Sequence, residues 1–256
     1  MKTALVTGGA TGLGRKIAIK LAQRGVAVAL ADISKAGLQG TVDQIAAISG
    51  GVAYAIEVDL TAAGAPEKVI NQSCEKLGQL DLLVNNAAFG AIEPFLDSSA
   101  EIWNKTLAIN VTALVLLTTA AGRVMREQRS GRIVNLTSPA SRMALPNYAA
   151  YAASKAAVDS WTRSSAVALA PFGILVNSVS PGMMDTEMQR STESKLAQVE
   201  NRPDLEAFFE ERTRRVPLGR RAPIGEMADV VIWLLLDAPS YITAARMNAS
   251  GGLDRD

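Results

Sequence analysis

A parallel β-sheet wound with α-helices on both faces is the architecture that this sequence predicts. Three observations carry the expectation: short β-branched runs alternate with amphipathic helical stretches from end to end, a glycine-rich turn sits between the first such pair, and no low-complexity linker or internal repeat interrupts the alternation. Right-handed crossovers repeated in this way leave little but a doubly wound sheet. The 256 residues are read as one domain over 1–256, with a core large enough to be stable by itself.

Residues 3–7, 26–31, 52–58, 82–84, 132–137 and 174–179 are apolar along most of their length, as strands covered on both faces are. Residues 12–24, 38–48, 66–77, 100–126, 149–168 and 224–236 carry apolar side chains at helical spacing, several of them ending at a glycine such as Gly25, Gly78 or Gly173. A seventh strand over 244–248 has a weaker pattern and follows from its place after a helix. Residues 183–221 break the rhythm, with two short helical patterns (191–200 and 204–214), dense charge and no strand. An insertion after a strand end lies beside the crevice where open α/β sheets bind ligands, so this stretch is read as a substrate lid.

Composition narrows the chemistry. The sequence has no histidine, so imidazole relays and HExxH zinc sites are excluded, and proton transfer falls to Tyr, Lys, Asp, Glu, Ser or Cys. Lys+Arg total 26 against 25 Asp+Glu, so the basic excess that draws a protein to nucleic acid or an anionic membrane is missing. One cysteine excludes an intramolecular disulfide and suits a reducing compartment. No metal site is expected. The longest apolar runs, 111–117 and 230–236, fall short of the roughly 18 residues of a membrane span. A cytoplasmic protein is the expectation.

The first strand leads into Thr7-Gly8-Gly9-Ala10-Thr11-Gly12-Leu13-Gly14, and a helix follows at once. The spacing GxxxGxG differs from GxGxxG, yet the physics is shared: glycines permit a tight turn and close approach of backbone to a pyrophosphate, which lies against the positive end of the helix dipole. Asp32 ends the second strand 18 residues beyond Gly14, near where an acid meets an adenosine ribose. A carboxylate accepts from the ribose diol and repels a 2′-phosphate, which favours NAD over NADP. Asp32 could instead cap the next helix, a task Ser34 could also take.

Thr7-Gly8-(x)3-Gly12-x-Gly14, Asn85-Asn86-Ala87-Ala88 after the fourth strand, Ser138 after the fifth, Tyr151-x-x-x-Lys155 on the following helix and Pro181-Gly182 after the sixth stand in this order along nearly the whole chain. Together they resemble the short-chain dehydrogenase/reductase family, with its Rossmann-type sheet of about seven strands. Tyr151 and Lys155 are four apart and share a helix face. A phenol acting as base near neutrality needs a drop of some 3 units, or about 4 kcal/mol, from its reference near 10; an ammonium about 4 Å away supplies roughly that, while burial opposes it. Ser138, at a strand's carboxyl end, is placed to donate to a substrate oxygen.

The resemblance implies catalytic roles for Asn110, Ser138, Tyr151 and Lys155, with Asn110 holding a water that links the lysine to solvent. It implies cofactor contacts from Gly8, Thr11, Gly12, Leu13, Gly14, Asp32, Ile33, Asp59, Leu60, Asn86, Ala87, Ala88, Tyr151, Lys155, Pro181, Gly182 and Thr186, and a sheet-bracing role for Asn85. Two departures from the family pattern stand out: Ala88 where Gly is commoner, and Ala249-Ser250 where Val-Asp is commoner. The family also implies a homo-oligomer, tetramer or dimer, built on the helix of Tyr151 (Val158, Trp161, Ser165, Leu169) and the 114–117 stretch.

The expected activity is therefore hydride transfer between NAD and a small-molecule secondary alcohol or hemiacetal, with a sugar, polyol or hydroxy acid favoured. A 3-oxoacyl thioester reductase using NADPH is the near alternative, and a non-catalytic nucleotide-binding protein the distant one. Six arginines over 202–221 (Arg202, Arg212, Arg214, Arg215, Arg220, Arg221) suggest an anionic substrate group, although Glu210–Arg214 and Glu211–Arg215 are also favourable helix pairs.

Overall fold

Seven strands pair in parallel in the order β3-β2-β1-β4-β5-β6-β7. The computed structural model describes residues 1–254. In chain order the elements are β1 (Thr3–Thr7), α1 (Gly12–Gln23), β2 (Ala27–Asp32), α2 (Lys35–Ala46), β3 (Ala53–Glu57), α3 (Ala65–Leu77), β4 (Leu82–Asn85), α4 (Ala100–Leu107), α5 (Leu114–Gln128), β5 (Gly131–Leu136), α6 (Ala149–Leu169), β6 (Ile174–Pro181), α7 (Glu187–Val199), α8 (Leu205–Arg214), α9 (Ile224–Ile232) and β7 (Arg246–Ala249). The winding direction reverses between β1 and β4, and a crevice forms where their carboxyl ends part.

The strands are apolar throughout because each contributes to two cores. Successive side chains point to opposite faces: Ala4 and Val6 of β1 join Ile17 and Leu21 of α1, Leu38 of α2 and Val231 of α9, while Leu5 joins Val69 of α3 and Leu117, Ala121 and Met125 of α5. A buried polar rod crosses the second layer. Asn85 donates to Thr118 Oγ1 (3.0 Å) and to Asn135 Oδ1 (2.8 Å), and Asn135 donates to Thr162 Oγ1 (2.9 Å), so α5, β4, β5 and α6 are pinned in register. This is the bracing expected of Asn85.

Four details differ from the sequence expectation. The helix expected over 100–126 is continuous, but a π-turn over Ala108–Ala113 joins α4 to α5. The carboxamide of Asn110 explains it: Oδ1 accepts from the Phe89 N–H (2.7 Å) and Nδ2 donates to the Phe89 carbonyl (2.8 Å), drawing the helix toward that loop. This stretch, Ala100–Gln128, is apolar and long enough to cross a membrane by composition; here its apolar face is a core face. Helix α7 starts four residues before the expected 191, because Thr186 Oγ1 accepts from the Gln189 N–H and caps it. The last strand starts at Arg246 because Ala244 adopts φ +61° and turns the chain before it joins β6. Finally, Gly14 is not a ligand-facing residue. A Cβ there would fall on the Gly8 carbonyl oxygen, so its lack of side chain lets α1 sit against the end of β1.

Candidate active site

The crevice begins at the glycine turn. Gly8 and Gly12 take positive φ (+66° and +52°), and a side chain on Gly12 would meet only open space, which leaves the turn's backbone accessible from the cleft. Thr7 and Asn86 fix the turn to β4: Thr7 Oγ1 accepts from the N–H groups of Asn86 (3.0 Å) and Ala87 (3.1 Å), and Asn86 Nδ2 donates to the carbonyls of Thr7 (3.0 Å) and Gly8 (3.2 Å). The Asp32 carboxylate accepts from the Ala10 N–H (3.1 Å) and the Ser34 N–H (3.0 Å), so it supports the turn while each oxygen keeps a lone pair for a diol. Ser34 caps α2, as the alternative had it. The nearest guanidinium, Arg15, is held by Thr41 Oγ1 and the carbonyls of Ala10 and Gly37.

One cleft of about 800 Å³ runs from this turn past the ends of β2, β4, β5 and β6 to the lid. Gly8, Thr11, Gly12, Leu13, Asp32, Ile33, Asp59, Leu60, Asn86, Ala87, Ala88, Tyr151, Lys155, Pro181, Gly182 and Thr186 all line it. Of the residues expected to touch a cofactor, only Gly14 does not. Asp59 accepts from the Thr61 N–H (2.8 Å) and hydroxyl (2.7 Å), which hold its carboxyl below the usual range. The glycine cradle, the acid at the end of β2 and the open strand ends fit a dinucleotide on this chain's own geometry.

Ser138 stands between the lining residues Thr137 and Pro139. Its Oγ accepts from the Ala140 N–H (3.2 Å), which leaves the hydroxyl proton free to donate, and it lies in hydrogen-bond contact with the Tyr151 phenol. Lys155 is almost wholly buried; its Nζ donates to the Leu136 carbonyl (2.8 Å) and lies 5.6 Å from the Tyr151 ring centroid. Burial pulls the ammonium down to about 8, opposed by Asp159 one turn further along α6. Tyr151 departs from expectation. Burial raises its phenol above the ordinary value, and the Ser138 contact only partly offsets the rise. With the lysine 5.6 Å from the ring centroid, desolvation is the larger influence on the phenol.

Asn110 also departs from its expected place. It is buried and does not line the cleft; its carboxamide clamps Phe89, as described, and donates to Ser154 Oγ (2.9 Å), whose hydroxyl donates to the Tyr151 carbonyl (2.7 Å). The side chain is thus a brace under the helix of Tyr151.

The lid is stitched internally. Glu193, wholly buried, accepts from Gln189 Nε2 (3.0 Å) and Arg212 Nε (2.9 Å) and faces Arg221 Nη1 (2.8 Å). Arg202 and Arg215 pair with Glu211, and Arg220 with Glu226. Five of these six arginines therefore already face a carboxylate within the protein.

A second buried network lay outside the motif reading. Arg246 of β7 pairs with Asp159 (3.3 Å) and Asp254, and donates to Ser180 Oγ (2.9 Å) and to the Ser138 carbonyl (3.4 Å). Ser250, one of the two departing residues near the C-terminus, accepts from the Asp254 N–H (3.1 Å) and keeps this acid in place. The signals were present: an arginine inside a strand, and an acid four residues after Lys155 on the same helix face.

A nucleotide cradle at the switch point, with a Ser-Tyr-Lys group at the strand ends beside it, defines a dinucleotide-dependent oxidoreductase. Comparison with known proteins agrees. A family model described as enoyl-(acyl carrier protein) reductase matches residues 8–254. The chain is 34% identical over 252 residues to a sorbitol dehydrogenase of Cereibacter sphaeroides (98% of this chain, 96% of the relative), and 34% identical over 254 residues to a 3-oxoacyl-[acyl-carrier-protein] reductase of Synechocystis (98% and 96%). A solved structure of NAD+-bound xylitol dehydrogenase superposes with a TM-score of 0.94 at 33% identity, covering 98% of each chain. The protein belongs to the short-chain dehydrogenase/reductase family.

Replacing Arg246 by Met should cost about 3–5 kcal/mol, because two buried carboxylates lose their cation. Urea unfolding measures the cost, and adding Asp159→Asn should restore part of it; a variant as stable as the parent would show that the network carries no stability.

Proposed function

We propose that the protein is an NAD-dependent dehydrogenase acting on a secondary alcohol, with Tyr151 as acid/base, Ser138 as donor to the substrate oxygen and Lys155 as the cation that holds the site's field. The observation that carries this reading is Ser138 set against the Tyr151 phenol, with Lys155 over the same ring, along a cleft that begins at the glycine cradle. A bound nicotinamide supplies the hydride acceptor and a positive charge. In oxidation, Tyr151 takes the hydroxyl proton of the alcohol as Ser138 donates to the same oxygen; in reduction the phenol returns it. Lys155 stays fixed by the Leu136 carbonyl and stabilises the phenolate at a distance. Asn110 positions α6 from below through Ser154.

The Asp32 carboxylate and the engaged Arg15 support NAD over NADP, and with it oxidation of a carbinol. Among the relatives, a sorbitol dehydrogenase and an L-rhamnose 1-dehydrogenase stand on the sugar and polyol side, and the 3-oxoacyl reductases on the other. We place the protein in the cytoplasm. We also propose a homo-oligomer, with a revised face: Val158, Ser165, Leu114 and Leu117 are buried within the chain, whereas Leu116, Val167 and the fully exposed Tyr241 remain outside.

Four outcomes test these readings. Tyr151→Phe should reduce kcat/KM by about a thousandfold, in line with loss of a general acid/base, while the NADH dissociation constant changes little. Because burial raises the Tyr151 pKa above its ordinary value, the base form is scarce and gains population as pH rises, so alcohol oxidation should climb through pH 8–10, by roughly tenfold per unit while the phenol remains protonated, whereas ketone reduction, which uses the protonated phenol, should stay level over the same range. Pre-steady-state rates in both directions read this directly. On the cofactor side, kcat/KM with NAD should exceed that with NADP by about a hundredfold, a gap of some 3 kcal/mol, and Asp32→Ala should shrink it; a parent enzyme that prefers NADP would contradict the role of Asp32. Light scattering should give a multiple of 27.0 kDa, and a monomer mass would end the oligomer reading.

A further inference from the structure

The end of the cleft beyond Tyr151 is walled by the segment before α6, the loop after β4 and the lid. Its surface there is hydrocarbon and thioether: Phe89, Ile92, Leu145, Met184, Met188 and Leu196 all face the cleft. An aromatic wall continues from the catalytic residue itself. The ring of Tyr148 stacks on that of Tyr151 with centroids 4.4 Å apart and planes 13° from parallel. This stack needs Gly90 opposite it, since a Cβ on Gly90 would collide with the Tyr148 hydroxyl and press on the Tyr151 ring.

The polar side chains at this end are already engaged with one another. The Tyr148 hydroxyl lies beside Thr192, Gln189 Nε2 donates to Glu193, Arg212 pairs with the same Glu193, and Arg215 pairs with Glu211. Glu187 and Glu200 stand exposed at the rim. Asn147 is the lining amide whose side chain makes no hydrogen bond among the described residues. A sugar or polyol brings a hydroxyl on nearly every carbon, and each one stripped of water without a partner costs about 1–3 kcal/mol. A site that recognises such molecules presents matching free donors and acceptors. Inside the exposed rim, where Glu187, Glu200 and Lys105 stand, these walls present one such side chain, Asn147.

From this we infer that the substrate of the Ser138–Tyr151 site is a secondary alcohol with an apolar body, aliphatic, alicyclic or aryl, carrying at most one further polar group, which Asn147 meets. The inference rests on the dehydrogenase reading and refines its substrate class away from polyhydroxylated compounds. Methionines at four lining positions, Met143, Met183, Met184 and Met188, suit a hydrocarbon of irregular outline, because the thioether chain adapts its shape at little cost.

The test is NADH formation by the full-length enzyme with two series matched in carbon number: cyclohexanol, 1-phenylethanol and the 2-alkanols from 2-butanol to 2-octanol, against erythritol, xylitol and sorbitol. The expected result is a kcat/KM at least a hundredfold higher for the apolar member at equal carbon number. Along the 2-alkanols kcat/KM should rise about fourfold per methylene until the cleft is filled, the transfer value of a buried CH2. Met188→Gln on the half-exposed face of α7 leaves packing of the core alone. It should raise KM for 1-phenylethanol about fivefold and leave KM for NAD unmoved, whereas a general folding defect would move both. Turnover of the polyols with equal or higher kcat/KM overturns the wall assignment while the dehydrogenase reading survives. If the enzyme binds NADH by fluorescence yet oxidises no alcohol and reduces no corresponding ketone of either series, the dehydrogenase reading fails and this inference falls with it.

Discussion

Everything in the site is referred to one close approach, that of α1 to the end of β1. Gly14 sits beneath the carbonyl of Gly8 with no room for a methyl group, and Asn86 reaches across from β4 to bond the carbonyls of Thr7 and Gly8. Three elements therefore meet at the point where the sheet reverses its winding, and the glycine turn has one conformation available to it. The accessible backbone at Gly12, the support of Ala10 by Asp32 and the opening between β1 and β4 all follow from that contact. A larger residue at position 14 would push the helix out and remove the cradle before any ligand contact was altered.

Electrostatics in the chemical half of the cleft are set by burial more than by pairing. Tyr151 and Lys155 are both shifted toward their neutral forms, the phenol upward and the ammonium down to about 8, because each is withdrawn from water. Their neighbours oppose the shift from either side: Ser138 favours the phenolate and Asp159 favours the ammonium. Asp159 is itself held by Arg246, which also reaches Asp254 and the Ser138 carbonyl. The last strand and the residues after it thus connect to the two ends of the catalytic group. The negative charge next to Lys155 is shared with a guanidinium, which limits how strongly it can retain the lysine's proton.

The lid shows why a tally of charges misleads about recognition. Six arginines in one segment look like an anion site when read along the chain. In three dimensions Glu193 and Glu211 each serve two of them, and Glu193 is wholly buried between α7 and α8. The guanidinium groups hold the lid together and leave its inner surface to methionine, leucine and the stacked tyrosines. The same charge that keeps the segment wetted outside makes the inside dry.

Much of the protein was decided by local sequence. The alternation of elements, the glycine turn, the acid at the end of β2 and the four-residue spacing of Tyr151 and Lys155 follow from rules of short range: strand period, helix period, and the conformations open only to glycine. For that reason the parallel sheet and the cofactor side of the cleft could be read from the chain, whereas its apolar walls, such as Phe89, Leu145, Tyr148 and Leu196, could not. Tertiary structure decided what depends on partners far apart in sequence. Gly14 proved to be packing instead of ligand contact because Gly8 and Asn86 close over it. Asn110 became a brace because Phe89 lies within reach of its carboxamide. The phenol of Tyr151 went up instead of down because the depth of its burial and the position of Lys155 are set by β5, not by helix spacing. The arginines found partners within the protein once Glu193 and Glu211 took their places between two helices. Desolvation and pairing are properties of a surrounding volume, and a linear sequence does not state which residues will fill it.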